Sequence, residues 1–259
     1  KPTVLIIFIA AVILGIINLL SGHKAEYKKA AAMLCCVVIA AASAFSVKHI
    51  LVTRKKLPAE KSMTITHYLM MGLNSETEGV YSSDDVNYSI NIGDKKARQE
   101  ANIKIIRERL EKMGFNGFAK LVIKKNLSNY NDGTFTWARE GEFYKTVYPS
   151  DSRVKTALRN FYFNKPEAFR FLAQTIWFFT LLCICFSAFR KASAYSGIIS
   201  QVALSLFGES IFLLLFECRA RYLFLYLPLF LILAAVGLAA STDICKKIIF
   251  ERKIENGRN

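Results

Sequence analysis

Residues 222–240 read YLFLYLPLFLILAAVGLAA, a run with no charged side chain. At about 1.5 Å per residue it is long enough to cross the ~30 Å hydrocarbon layer of a bilayer. A segment surrounded by lipid must satisfy its own backbone hydrogen bonds, and nothing in this run alternates as a barrel strand would, so it reads as a helix. Working outward, four further apolar runs of similar length occupy 4–20, 30–52, 168–189 and 196–216. The expected fold is an α-helical integral membrane protein of about five transmembrane helices, with one mainly helical extracytoplasmic domain between the second and third. Residues 1–52 would hold helices 1 and 2, 53–167 the outer domain, 168–240 helices 3 to 5, and 241–259 a basic cytoplasmic tail.

Composition agrees with this division. Of 259 residues 53% are hydrophobic, yet 35 Lys and Arg stand against 20 Asp and Glu, and mean hydropathy is +0.27, so apolar and charged residues are segregated along the chain. The chain opens on Lys1 and Pro2 without an initiator Met, which suggests a fragment. Val4 to Leu20 has the length of a signal-peptide core, but Ser21, Gly22 and His23 make a poor cleavage site and a second apolar run follows closely, so a span is expected. The six cysteines lie in or beside apolar runs and none falls between 53 and 167, which leaves the polar segment without a disulfide or a cysteine metal site.

Short-loop charge sets the orientation. Lys24, Lys28, Lys29, Arg190, Lys191 and the tail cations Lys246, Lys247, Arg252, Lys253 and Arg258 fall on one side, Arg219 and Arg221 on the other. This predicts a multi-pass protein of the plasma membrane with 53–167 outside and the C-terminus in the cytoplasm, although Arg54, Lys55 and Lys56 follow the second run directly.

In the polar segment, Ile103, Ile106, Leu110 and Met113 repeat at helical spacing and Gly114 follows as a stop. A second helix, Asn116 to about Asn129, places Phe118, Leu121, Val122 and Lys125 on one stripe. A cation on an apolar stripe fits either a surface helix with a snorkelling lysine or a phosphate contact. In NDGTFTWAREGEFY, 131–144, Asp132-Gly133 and Glu140-Gly141 are turn signals around a strand-like stretch from Thr134 to Trp137, and a hairpin is expected. Residues 66–86 have loop composition. Their pair Asp84-Asp85 could bind a cation, but adjacent carboxylates on a loop more often face water.

Several of these residues resemble one family. His67-Tyr68, Met70-Met71-Gly72-Leu73-Asn74, Gly79 and Tyr81, then Asp132-Gly133-Thr134-Phe135, Trp137 and Glu140-Gly141, then Glu217, Arg219, Arg221 and Tyr222 ahead of the last span, follow one another in order. The pattern resembles bacterial membrane glycosyltransferases of the GT-C type, the group of the protein O-mannosyltransferases and the RgtA/B/C/D-like domain. The resemblance spans about 60–240 and implies the carboxy-terminal portion of a cell-envelope, mannosyltransferase-like enzyme. That enzyme would move a sugar from a polyprenyl-phosphate donor to a protein or an envelope glycan. In such enzymes the catalytic base is an acid in the first outer loop, so the base is expected to be missing from this chain, and neither Asp84 nor Glu78 is assigned to it. The implied partners are membrane lipids, the polyprenyl-phosphate-linked sugar and the N-terminal transmembrane half of the same enzyme. No cofactor is certain, and dependence on a divalent metal stays open.

Such chemistry needs cations for the departing lipid phosphate. Arg219 and Arg221 lie in the short connection between spans four and five, and guanidinium pairs with phosphate oxygens. They serve either there or as interfacial anchors. Glu217 could orient an arginine, and Tyr222, Lys125, His67, Asp132 and Trp137 complete the expected binding set. Glu209 lies inside an apolar run, where an ionisable group costs about 2.5–3.5 kcal/mol on insertion scales. It should face protein or a wet cavity, as a functional group or a structural hydrogen bond. No Gly-rich nucleotide loop, metal-spaced His or Cys cluster or nucleic-acid-binding motif accompanies the net charge of +15, so lipid headgroups rather than nucleic acid are the expected counter-charge. The alternative class is a non-catalytic scaffold or transporter component that presents the outer domain.

Overall fold

The computed structural model describes residues 2–21, 35–36, 38–39, 42–43, 45–47, 49–51, 53, 62–140, 152–190 and 196–256. All the elements within the described residues are helical: α1 (Leu5–Leu20), α2 (Ile65–Gly72), α3 (Ser83–Asn91), α4 (Lys95–Tyr130), α5 (Trp137–Glu140), α6 (Arg153–Asn164), α7 (Pro166–Phe186), α8 (Ser196–Leu215) and α9 (Leu227–Asn256). Three segments are long and apolar enough to cross a membrane, Pro166–Phe189, Ser196–Leu215 and Ala220–Ile249. They coincide with the last three predicted spans. The first predicted span is the shorter α1, of 16 residues, and of the second, 30–52, the residues described between 35 and 51 are helical. The last helix does not stop at 240, because α9 runs on to Asn256 through the basic segment.

The chain divides into two compact units. One comprises Lys1–Asn126 and Phe207–Cys218, the other Leu127–Leu206 and Arg219–Asn259. The division falls inside α4, not at the edges of the polar segment.

In the first unit Met70, Leu73 and Ile106 form a core, with Leu69, Ile105 and Phe118 packed on it. Gly114 is the expected breaker: with φ 55° and ψ −172° it stops one helical piece of α4 and a second piece follows it. The expected loop over 66–86 contains α2 and the start of α3. The acids misled the reading: Ser82 accepts the N–H of Asp85 at 3.2 Å, and Asp84 and Asp85 occupy the first turn of α3, where carboxylates oppose the helix dipole. SSDD is therefore a helix start.

In the second unit α9 packs along α7. The predicted strand at Thr134–Trp137 is absent. Asp132 instead accepts the N–H groups of Thr134 and Thr136 at 2.9 and 2.8 Å and the Thr134 hydroxyl at 2.6 Å. Phe135 and Thr136 take left-handed φ values of 51° and 67°, so local side-chain bonds to the backbone outcompete extension. This turns the Phe135 ring inward against Trp177, 5.0 Å between centroids, and Phe224, 5.8 Å. Trp177 is 3% exposed, stacks on Tyr130 and donates its ring N–H to the Tyr130 carbonyl at 2.8 Å.

Helices α7 and α9 meet most closely at Gly237. A Cβ there would overlap the carbonyl of Cys183 and come within 2.9 Å of the Ser187 nitrogen. Neither backbone can yield easily, and close approach through a small residue is how helices associate in lipid. Gly237→Ala should therefore lower the thermal midpoint of the detergent-purified protein, by an amount corresponding to about 1–3 kcal/mol of overpacking. Gly197→Ala, with nothing within 4 Å of the added carbon, should leave the midpoint unchanged.

Candidate functional site

Lys125 is the most constrained polar group of the first unit. Four residues beyond the buried Leu121 on the same helix face, it points inward and is 0% exposed. Its ammonium donates to the Gly72 carbonyl at 2.7 Å and to the Phe216 carbonyl at 2.8 Å. These carbonyls lie at the C-termini of α2 and α8, where backbone acceptors lack helical partners and the dipole favours a cation. The loop after α2 wraps the side chain. Gly79, at φ 73°, lets the lysine stem pass, since a Cβ there would fall 2.8 Å from Lys125 Cε. The same loop accepts the Cys218 N–H on the Gly79 carbonyl at 2.9 Å, and Tyr68 accepts the Glu217 N–H at 3.0 Å. Lys125 is thus neither a snorkelling surface lysine nor presented to an external phosphate. Burial pulls its pKa down to about 8, with the Cys218 thiol pulling the other way, and burial in turn pushes that thiol up.

A second buried group lies between α2, α3 and α4. Arg109 grips Asp85 at 2.6 and 3.0 Å and also donates to the Met70 carbonyl at 2.6 Å, and Asn74 donates to Asp85 at 3.2 Å. Asp85 therefore faces an arginine, while Asp84 is exposed. Among the described residues no three His, Cys, Asp or Glu converge to hold a metal ion. His67 is 2% exposed and lies 2.8 Å from the Ser89 hydroxyl, which donates onward to Asn102 at 3.1 Å. Because the serine proton is given to Asn102, His67 Nδ1 must donate. The histidine cannot act as a base toward Ser89 in this arrangement. Burial, the largest influence, lowers its pKa, Asp85 raises it and Arg98 lowers it further. Glu209 is also in this unit and fully buried, so it faces protein and not lipid.

In the second unit the arginine turn is a 3-10 helix, Ala220–Tyr226, entered through Arg219. Its repeat of three buries Ala220, Leu223 and Tyr226, each at most 1% exposed. The other positions turn outward. Arg221 is exposed, with its guanidinium carbon 5.5 Å from the Tyr222 ring centroid. Asp132 spends its oxygens on its own turn, and Trp137 is partly exposed. Sequence reasoning missed Trp177, hidden in an apolar run, and Arg109, whose only signal was an arginine one position from an apolar stripe.

Lys125→Met retains the stem but strands two buried carbonyls, each worth about 1–3 kcal/mol when unsatisfied. The protein should be destabilised, with a characteristic pH dependence. A lysine whose folded pKa is depressed to about 8 from 10.5 binds fewer protons folded than unfolded between those values. Its contribution therefore rises with pH across that window, and the neutral amine still offers two N–H groups to two carbonyls. The gap in thermal midpoint between wild type and Lys125→Met should widen from pH 7.5 to 9.5. A gap that narrows would contradict the assignment.

A family model described as a conserved hypothetical integral membrane protein matches residues 1–242. No curated protein and no solved structure matches the chain. With that match over most of its length and three helices of membrane-spanning length and apolarity, the chain belongs to this family of integral membrane proteins.

Proposed function

We propose that this membrane protein takes part in transferring a sugar from a polyprenyl-phosphate donor to a protein or envelope glycan, with Arg219 and Arg221 holding the lipid phosphate. One observation carries the reading. The segment around Tyr68 and Gly79 and the segment Glu217–Cys218, far apart in sequence, are joined by two backbone hydrogen bonds of 3.0 and 2.9 Å. They are two of the segments that resemble GT-C glycosyltransferases, and the arginine turn follows Cys218 without a spacer. In this reading a guanidinium meets the phosphate as negative charge grows on it, and Tyr222 limits where the Arg221 fork can point. Asp85 is engaged by Arg109 and Glu78 by Lys124 at 2.8 Å, so the reading assigns the acceptor proton to neither of them.

The reading places residues 53–167 outside the plasma membrane and the C-terminus in the cytoplasm, as short-loop charge favours. With native cysteines replaced, Ile90→Cys, at an exposed position, should react with an impermeant maleimide in intact cells, and Lys246→Cys only after permeabilisation. The reverse pattern would remove the arginine turn from the outer surface.

Internal satisfaction of Lys125, Arg109 and His67 favours a second reading, a non-catalytic scaffold whose buried polar groups serve only folding. Turnover separates the two. Arg221→Lys keeps charge without the planar fork and Arg221→Ala loses both, so sugar transfer per folded molecule should fall for Lys and fall further for Ala. A charge-assisted hydrogen bond of about 1.5–3 kcal/mol corresponds to roughly ten- to hundredfold in rate. Undiminished transfer by Arg221→Ala would leave the scaffold.

A further inference from the structure

Helix α6, Arg153–Asn164, reads RVKTALRNFYFN and has no buried residue. Val154, Leu158 and Phe161 share one stripe at spacings of four and three, and Val154 and Leu158 are 69% and 63% exposed. Lys155 and Arg153 border that stripe on its two edges, Arg159 lies with its guanidinium carbon 6.0 Å from the Phe163 ring centroid on the other face, and the helix carries no acid. One residue, Lys165, separates α6 from α7. Pro166 disfavours helical geometry at Lys165, which takes φ −129° and ψ 55°, so the chain changes direction there and does not extend the span as a straight rod. A single residue reaches about 3.5 Å, which holds the end of α6 level with the start of α7, where a spanning helix enters the hydrocarbon.

Contacts fix the rotation of α6. Phe161 and Tyr162 pack on Phe169 of α7, at 6.2 and 4.8 Å between ring centroids, and the Tyr162 hydroxyl donates to the Trp137 carbonyl. Phe161 thus docks the end of the stripe on α7, while Val154 and Leu158, on the same face further along α6, stay exposed with cations bordering them. An apolar stripe edged by Lys and Arg at that depth matches an anionic lipid surface, in which acyl chains lie beneath negatively charged headgroups.

We propose that α6 is an interfacial helix lying on the membrane, with Val154 and Leu158 in the acyl boundary and Arg153 and Lys155 on anionic phospholipid headgroups. It recruits such lipids to the start of α7. The inference is independent of sugar transfer and of which side of the membrane carries the helix.

The test uses the full chain in vesicles of phosphatidylcholine containing a minority of phosphatidylglycerol. Leu158→Trp and Thr156→Trp, at two exposed positions on different faces, are compared against the common background of Trp137 and Trp177. With acyl-brominated lipid, the emission added by Leu158→Trp should be more than halved and that added by Thr156→Trp left nearly intact. Bromine carried on the phosphatidylglycerol should quench Leu158→Trp more than the same amount carried on the phosphatidylcholine. That difference should vanish when Arg153→Gln and Lys155→Gln are added. Three results would overturn the proposal: equal quenching at both positions, quenching at Leu158→Trp that ignores the headgroup, or a blue-shifted Leu158→Trp emission that bromine does not reach, which would mean that protein covers the stripe.

Discussion

A buried ammonium between two helix ends is the constraint on which the first unit depends. Gly72 and Phe216 present carbonyls that no intrahelical N–H can reach, and Lys125 supplies both at 2.7 and 2.8 Å. Any polar group withdrawn from water without a partner costs folding free energy, so the end of α8 and the end of α2 can be buried together only if something donates to both. A lysine suits the task. Its donors sit on one atom at the tip of a slender stem, and that stem threads past Gly79, whereas a guanidinium is broader and cannot shed its charge.

The same device recurs along α4. Arg98 donates to the carbonyls of Ile92 and Gly93, just past the end of α3, and to that of Ser62. Arg109 donates to Met70 near the end of α2, and Lys125 to Gly72 and Phe216. The two helical pieces of α4 thus carry cations that close the C-terminal ends of three other helices, where unsatisfied carbonyls and the helix dipole both favour positive charge. Asp85 neutralises only one of them, at Arg109. Helix ends therefore take up part of the net charge of +15 without any external anion.

Legibility followed physical range. The apolar runs were readable because lipid imposes a requirement that each segment meets alone, and Gly114 because its backbone freedom is a property of one residue. Lys125 was visible as an anomaly on an apolar stripe, but its partners lie 53 and 91 residues away, and no local pattern encodes such distances. The misreadings at 66–86 and 134–137 share a cause. Asp and Ser favour loops and caps through the same hydrogen bonds, so composition could not say whether Asp85 starts a helix or faces water, nor that the turn signalled at Asp132-Gly133 would reach on to Thr136 in place of the strand-like stretch.

The division of the cations bears on function more than their number does. Arg98 and Lys125 are buried, at 3% and 0% exposure, and bonded to carbonyls, so they attract no ligand from solution. Charge for the proposed lipid and phosphate contacts falls instead at exposed positions, Arg221 ahead of the last span and Arg153 and Lys155 on α6. The repeat of three that buries Ala220, Leu223 and Tyr226 sets which positions of the turn face outward, and Arg221 is one of them. A backbone already ordered in this way has less freedom to lose when a side chain on it meets an anion, which is the preorganisation that the proposed phosphate role calls for.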